Sequence, residues 1–140
     1  MKNCVFCKII NNEIPSTKIY EDKDVLVMLD IRPASKKGGH CLVIPKKHFE
    51  LIYEIPDELL NKINLVIKKM SKALLKFGEG LNILQNNKEV AGQAIPHVHF
   101  HLIPRFKNDG IIVEKWKSYE YKNGEDKRVA SKIKSLLKNG

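Results

Sequence analysis

The sequence His-Val-His-Phe-His-Leu-Ile at residues 97–103 decides the fold, because it places three of the chain's five histidines on alternate positions. Side chains alternate between the two faces of a β-strand, so a strand here puts the histidines on one face and Val98, Phe100 and Leu102 on the other. The apolar face suits a core. The row of imidazoles suits nucleophilic work, proton transfer or metal binding, because histidine titrates near neutral pH. A solvated strand face would more often carry lysine, glutamate and threonine.

Length and composition indicate one globular domain, since 140 residues with 43% hydrophobic content can bury their own core. No apolar run of 18 residues occurs, and the N-terminus has no apolar signal region, so we expect a cytoplasmic protein without a membrane partner. The net charge of +9 is spread along the chain as dispersed lysines. Dispersed charge favours a solvated surface that attracts small anions, and it argues against nucleic acid as a partner.

The hydrophobic pattern predicts an α+β fold in which an antiparallel sheet of about five strands carries one long helix and shorter flanking helices. Apolar residues recur at three- and four-residue steps from Pro56 to Phe77, and Gly78 provides a C-cap for this long helix. The domain is expected to span residues 1–140, with 106–140 as a C-terminal extension that ends in a lysine-rich amphipathic helix. The other predicted elements are a short helix over 4–12 and strands over 17–21, 25–30, 40–45, 81–85 and 97–101.

A possible metal site begins with Cys4-Val5-Phe6-Cys7, whose two thiols lie within reach of one ion. Tetrahedral zinc needs two further ligands, and His48 with one histidine of the strand could complete a Cys2His2 set. The alternative is that both cysteines are small buried hydrophobic residues. Cys41, inside an apolar strand, is interpreted as a core residue.

Two further segments are candidates for ligand binding. Asp30 ends an apolar run, where its carboxylate could accept two hydroxyl donors such as those of a ribose, or could serve as an ordinary turn residue. Gly92-Gln93 precedes the histidine row by four residues. Glycine permits close approach of the backbone to a ligand, and glutamine supplies both a donor and an acceptor.

These blocks together resemble the histidine triad (HIT) superfamily of nucleotide hydrolases and transferases. The signature is His-φ-His-φ-His-φ-φ at residues 97–103, where φ is an apolar residue. The N-terminal cysteine segment, Leu29-Asp30-Ile31-Arg32-Pro33, the segment from His40 to His48 and Gly92-Gln93 occur in the family's order. The resemblance covers nearly the whole chain and points to the Hint branch in its zinc-bearing prokaryotic form.

The resemblance implies an enzyme acting at the α-phosphate of purine nucleotides such as AMP derivatives. His99 is then the nucleophile that forms a nucleotidyl-histidine intermediate, His101 donates to an α-phosphate oxygen, and His40 supports the cluster. The implied substrate-binding residues are Phe6, Ile9 and Ile31 at the purine, Asp30 at the ribose, and Asn86, Gly92 and Gln93 at the ribose-phosphate. The implied ligands of a structural Zn2+ are Cys4, Cys7, His48 and His97.

Two departures from the family pattern bear on activity. Position 94 is Ala, where several relatives place a hydroxyl that helps to protonate the leaving group, and the loop between Asp30 and His40 looks about two residues longer than usual. The resemblance further implies a homodimer. We expect a phosphoramidate hydrolase, with a diadenosine polyphosphate hydrolase, a catalytic zinc enzyme or a nucleotide-binding interaction protein of little turnover as alternatives.

Overall fold

The computed structural model describes residues 3–113 and 115–140, which form a five-stranded antiparallel sheet with three helices. The strand order is β1-β2-β3-β5-β4. The helices are α1 (Val5–Ile10), α2 (Asp57–Phe77) and α3 (Glu125–Asn139). The strands are β1 (Lys18–Glu21), β2 (Val25–Leu29), β3 (Cys41–Pro45), β4 (Gly80–Gln85) and β5 (Phe100–Arg105). The predicted fold class is therefore confirmed.

Alternation along the central strands separates two apolar clusters, one on each face of the sheet. On one face, Val25, Val27 and Val43 pack against α2. On the other face, Leu26 and Ile44 pack in the cluster that contains α1. Both faces of β2 and β3 are thus covered, which explains their continuous apolar sequences.

The long helix α2 packs against the sheet of its own chain. Its buried residues follow the predicted three- and four-residue spacing and lie in the cluster that covers one face of the sheet. They are Ile63, Val66, Ile67, Met70 and Leu74. Gly78 is the C-cap, as expected, and its amide donates to the carbonyl of Leu74. These five residues of the α2 stripe are therefore core within one chain, whereas Phe77 at the end of the stripe is 53% exposed.

The predicted strand over the histidine row is wrong at its beginning. β5 starts at Phe100, so His97 and His99 precede the ladder and only His101 belongs to it. The amide of His97 donates to the carbonyl of Ile95, and the amide of Val98 donates to Phe49, which takes this backbone out of the sheet. The alternation itself persists, because Val98, Phe100 and Leu102 all lie in the core cluster beneath α2.

The C-terminal region contains the predicted lysine-rich helix, but its apolar stripe does not join the core. All residues from 126 to 139 are exposed. The stripe consists of Val129, Ile133, Leu136 and Leu137. The boundary of an extension at residue 106 stays a prediction. Within the described residues, no helix is long and apolar enough to cross a membrane.

Candidate active site

The first group of side chains, here called the cysteine–histidine cluster, consists of Cys4, Cys7, His48 and His97. Cys4 caps the N-terminus of α1, where its Sγ accepts the amide of Cys7 at 3.4 Å. Nδ1 of His97 lies 3.3 Å from Sγ of Cys4, 3.6 Å from Sγ of Cys7 and 3.1 Å from Nδ1 of His48. Sγ of Cys7 lies 3.4 Å from Nδ1 of His48. These four residues converge as the sequence predicts and could hold a metal ion.

His97 is oriented by a backbone carbonyl. It is fully buried, and its Nε2 lies 2.8 Å from the carbonyl oxygen of Pro45. A carbonyl only accepts, so Nε2 carries the proton and Nδ1 presents a lone pair to the cluster. Burial lowers the pKa of His97 to about 4, which keeps this imidazole neutral. Metal-bound histidines show the same arrangement, with the distal N–H on a carbonyl or carboxylate.

The thiol of Cys7 needs a cation to ionise. Burial, followed by the neighbouring Cys4, raises the pKa of Cys7 to about 11. At neutral pH the bare cluster is therefore a thiol rather than a thiolate at this position. A bound divalent ion reverses that preference, because its charge stabilises the deprotonated ligand.

The second group consists of His40, His99 and His101 and is here called the catalytic histidine cluster, after the role that the family resemblance predicts for it. Nε2 of His40 lies 2.9 Å from Nδ1 of His101, and the rings of His99 and His101 meet edge to face at 4.9 Å between centroids. Oδ2 of Asp30 lies 3.7 Å from Nε2 of His40. β3 and β5 position these groups, since His40 directly precedes β3 and His101 pairs in register with Leu42.

His99 presents one nitrogen with a free lone pair. Its Nδ1 donates to the carbonyl oxygen of His97 at 2.8 Å, so Nε2 is the unprotonated nitrogen of the neutral ring. Burial lowers the pKa of His99, although this hydrogen bond opposes the shift. The ring of Phe6 packs edge-on against His99 at 5.1 Å between centroids and further limits its orientation. A neutral imidazole fixed in this way is equipped to act as a nucleophile.

The predicted apolar binding residues separate into two environments. Phe6 and Ile9 are buried in the cluster around α1, and Phe6 contacts the rings of both His97 and His99. Ile31 is 90% exposed on the loop that follows β2, so it is not brought into that buried cluster.

The polar loop after β4 is anchored largely by its own side chains. Gln93 is buried, with its Nε2 donating to the carbonyl of Glu50 and its Oε1 accepting the amide of Lys88, each at 2.7 Å. Asn86 donates weakly to the carbonyl of Gly92 at 3.5 Å. Gly92 has φ +94°, a conformation that favours glycine. The phosphate contact expected of Gln93 stays a prediction, and the structure gives this residue a role in joining two loops.

Sequence reasoning missed the backbone groups that orient the histidines. The carbonyls of Pro45 and His97 and the amide of Ala34 each fix one imidazole nitrogen. Every residue offers an amide or a carbonyl, so no residue type marks these positions in the sequence. Their importance is visible only in three dimensions.

Comparison with known proteins identifies the class of protein that this fold and site define. A family model described as the HIT domain matches residues 11–108. A HIT-like protein of Methanocaldococcus jannaschii is 49% identical, with 94% of this chain and 98% of that protein covered. The chain belongs to the HIT family.

Two further similarities narrow the class. The adenosine 5′-monophosphoramidase hnt1 of Schizosaccharomyces pombe is 40% identical, with 97% of this chain and 99% of that protein covered. The crystal structure of a HIT family member from Bacillus subtilis is 43% identical and superposes with a TM-score of 0.85, covering 95% of this chain and 96% of that chain. The protein is a nucleotide hydrolase of the HIT family.

Proposed function

We propose that the protein is a nucleoside phosphoramidate hydrolase, which cleaves the bond between an amine and the α-phosphorus of a purine nucleoside 5′-monophosphate. Nε2 of His99 attacks phosphorus, the P–N bond to the amine breaks, and the amine leaves after gaining a proton. Water then attacks the nucleotidyl-histidine, releases the nucleoside monophosphate and restores His99. Two displacements replace one difficult substitution. The activity named for the fission yeast relative supports the choice of an amine leaving group.

The observation that carries the proposal is the hydrogen bond from Nδ1 of His99 to the carbonyl of His97. It leaves Nε2 as the free lone pair on a buried and tightly packed ring. His101 donates its Nε2–H to a nonbridging oxygen of the α-phosphate, and His40 holds His101 through their 2.9 Å contact. Positioning and charge stabilisation of this kind supply most of the acceleration in phosphoryl transfer.

Nucleotide binding follows from the surroundings of this cluster. On the resemblance to the family we assign the purine to the neighbourhood of Phe6, Ile9 and Ile31, of which Phe6 and Ile9 are buried and Ile31 is exposed. Asp30 accepts the ribose hydroxyls. Its Oδ1 already accepts the amide of Arg32 at 2.9 Å, which holds the carboxylate at the start of the loop. Asn86, Gly92 and Gln93 line the ribose-phosphate side.

Ala94 affects how the leaving group departs. It carries no hydroxyl, so a proton for the departing amine comes from His101 or from water. An amine with a low pKa leaves readily, whereas a strongly basic amine must be protonated as the bond breaks. We therefore expect turnover to fall as the basicity of the departing amine increases, to a greater extent than in an Ala94→Ser variant.

We further propose that the cysteine–histidine cluster holds one structural Zn2+. Tetrahedral zinc with ordinary bond lengths separates two nitrogen ligands by about 3.3 Å and a nitrogen from a sulfur by about 3.6 Å. The observed separations of 3.1–3.6 Å fit these values. Four protein ligands fill the coordination sphere, so the ion ties α1 to the chain preceding β5 and takes no part in the chemistry.

A homodimer is also proposed. β4 is an edge strand of the sheet, and Ile83 on it is 53% exposed. An edge strand with an exposed apolar side chain can pair with a second copy and extend the sheet. Light scattering after size-exclusion chromatography tests this, and Ile83→Lys is expected to shift the population towards monomer.

The experiment that tests the enzymatic proposal is intact-mass detection of the intermediate. The protein is mixed with adenosine 5′-phosphoramidate and quenched during the first turnovers, at a pH that preserves phosphorus–nitrogen bonds. We expect a mass increase of one adenylyl group, mapped by peptide sequencing to His99. Absence of this adduct during measurable turnover, or its location on another residue, contradicts the mechanism. Diadenosine tetraphosphate assayed in parallel distinguishes the alternative hydrolase activity.

A further inference from the structure

The loop between β2 and β3 reaches the catalytic histidine cluster through one backbone amide. The N–H of Ala34 donates to Nδ1 of His40 at 3.1 Å. An amide N–H can only donate, so Nδ1 of His40 must carry the lone pair and Nε2 must carry the proton. A doubly protonated His40 would place two N–H groups against each other. The contact therefore specifies both the tautomer and the neutral state of His40.

The protonation of His40 also determines which ring nitrogen of His101 carries the proton. Nε2–H of His40 faces Nδ1 of His101 at 2.9 Å, so Nδ1 of His101 accepts and its proton resides on Nε2. The Asp30 carboxylate lies 3.7 Å from Nε2 of His40, on the side that bears the proton. Burial lowers the pKa of His40, and burial followed by the neighbouring histidines lowers the pKa of His101 to about 4. Both rings are neutral at pH 7, where a tautomer must be selected.

The loop that supplies the amide is held in place at several points. Its base is closed by the amide of Asp30, which donates to the carbonyl of His40 at 2.8 Å. Ser35 is buried and accepts the amide of Lys37 on its Oγ at 3.1 Å. Gly39 has φ +82°, and a Cβ there would clash with Cε1 of Phe77. The Ala34 amide is therefore presented by a hydrogen-bonded turn.

We propose that Ala34 is a positioning residue whose backbone N–H sets the tautomers of His40 and His101, so that His101 presents Nε2–H to the phosphate. With the opposite tautomers, His101 would present a lone pair to an anionic oxygen and repel it. This inference deepens the proposed function and rests on it for its kinetic consequence. The tautomers themselves can be measured without any substrate.

The same amide makes the catalytic histidine cluster unsuitable for a metal ion. One possible ligand atom from each of Asp30, His40 and His101 lies within 4.8 Å of the other two, close enough for a shared ion. Coordination through Nε2 of His40 would require a proton on Nδ1, directly against the Ala34 N–H. An ion could bind there only after losing that hydrogen bond. The cluster is thus directed towards proton donation rather than coordination.

Nuclear magnetic resonance of the zinc-loaded protein with 15N-labelled histidine tests the tautomers at pH 7. Long-range proton–nitrogen correlations distinguish a protonated from an unprotonated ring nitrogen. We expect His40 and His101 to be protonated on Nε2 and His99 on Nδ1. Protonation of His40 or His101 on Nδ1 overturns the inference, whether or not the protein hydrolyses phosphoramidates.

Replacement of the Ala34 N–H by an ester oxygen tests the kinetic consequence. Cys41 is a natural ligation junction, so residues 1–40 can be synthesised with the ester and joined to 41–140. We expect kcat to fall about tenfold, with KM within about twofold, because a preorganised hydrogen-bond donor to the phosphate contributes about a hundredfold or more and is here misoriented rather than removed. The histidine spectra should show mixed tautomers for His101.

The matched control carries the ester at Lys37, whose amide donates to Ser35 within the same loop but touches no histidine. It should retain the parent kcat and the parent spectra. Equal kcat values for the two esters, or an Ala34 ester with unchanged tautomers, would overturn the inference. Ala34→Pro removes the same N–H genetically and provides a second variant if the ester protein fails to fold. A parent protein without hydrolase activity would refute the proposed function, and the spectra would still decide the tautomers.

Discussion

The cysteine–histidine cluster and the catalytic histidine cluster draw on the same short segment of chain but are oriented by opposite kinds of backbone group. The carbonyl of Pro45 accepts a hydrogen bond from Nε2–H of His97. The unprotonated Nδ1 of His97 therefore faces the thiols of Cys4 and Cys7. The amide of Ala34 donates a hydrogen bond to Nδ1 of His40. The protonated Nε2 of His40 therefore faces His101. One imidazole is therefore oriented as a possible metal ligand and the other as a hydrogen-bond donor.

His99 shows that orientation alone does not decide the role. Like His97, it donates to a carbonyl and keeps a lone pair on its other nitrogen. His97 directs that lone pair at the two cysteines, whereas His99 lies beside the rings of Phe6 and His101. A lone pair beside thiols favours metal binding, and a lone pair beside a proton donor favours attack on phosphorus. The backbone therefore fixes the orientation of each ring, and the neighbouring side chains decide what its free nitrogen can do.

The largest expected effect comes from removing the proposed nucleophile. His99→Ala should reduce turnover of adenosine 5′-phosphoramidate by about a thousandfold or more, since the unprotonated nitrogens of His40 and His101 already accept hydrogen bonds. Nucleotide should still bind, and one zinc ion per chain should remain. Steady-state kinetics, calorimetric binding of AMP and metal analysis measure these three quantities. A variant as active as the parent would remove His99 from the mechanism.

The second effect concerns the other cluster and should appear in stability. Cys7→Ser should abolish stoichiometric zinc and lower the free energy of unfolding by about 3 kcal/mol, because a structural zinc site contributes folding free energy. Metal analysis and urea unfolding measure both changes.

Cys41→Ala is the matched control for this variant, since Cys41 is a buried cysteine outside the cluster. It should keep its zinc. Cobalt substitution sharpens the comparison, because the parent should bind one ion with thiolate-to-metal charge-transfer absorption. A second ion without such absorption would indicate that the catalytic histidine cluster also binds metal.

The sequence predicted the members of both clusters because each role requires a distinctive residue type. Cysteine and histidine are the usual ligands of structural zinc, and their spacing, with the family pattern, is sufficient to group Cys4, Cys7, His48 and His97. The helix α2 is equally predictable, since its buried face follows from the three- and four-residue spacing of its apolar residues.

Predictions failed or stayed incomplete where tertiary contacts override local pattern. Strict alternation placed His97 in a strand, yet the contact between Val98 and Phe49 takes the backbone away from the sheet before β5 begins. The amphipathic pattern of α3 predicted a helix, but it could not specify that its apolar stripe remains exposed. The tautomers depended on backbone groups that residue identity does not mark.

A smaller effect is expected from Asp30, which borders the catalytic histidine cluster. Asp30→Asn should raise KM for the adenosine substrate about tenfold and change kcat by less than about threefold, because a hydrogen bond to a charged acceptor contributes about 1.5–3 kcal/mol. The matched control is a change in the substrate rather than in the protein. The 2′,3′-dideoxy substrate has no hydroxyls to bind, so its KM should be similar for the parent and the variant. An equal rise in KM for both substrates would show that Asp30 acts elsewhere than at the ribose.

The smallest effect is a pH dependence of stability that separates the two clusters. His101 has a pKa of about 4 in the folded protein and about 6.5 when unfolded. The unfolded chain therefore binds more protons between these values, and stability falls as the pH decreases from about 6.5 towards 4. His101 is partly exposed, so we expect its contribution to the free energy of unfolding to fall by about 1 kcal/mol between pH 7 and pH 5.

Acid also releases metal from the cysteine–histidine cluster, so the measurement compares the parent with His101→Asn by urea unfolding at both pH values. The variant should lose less stability on acidification than the parent, while zinc release occurs at the same pH in both. If the two proteins lose equal stability, His101 is not held neutral by its surroundings, and the acid sensitivity belongs to the metal ligands and the remaining groups.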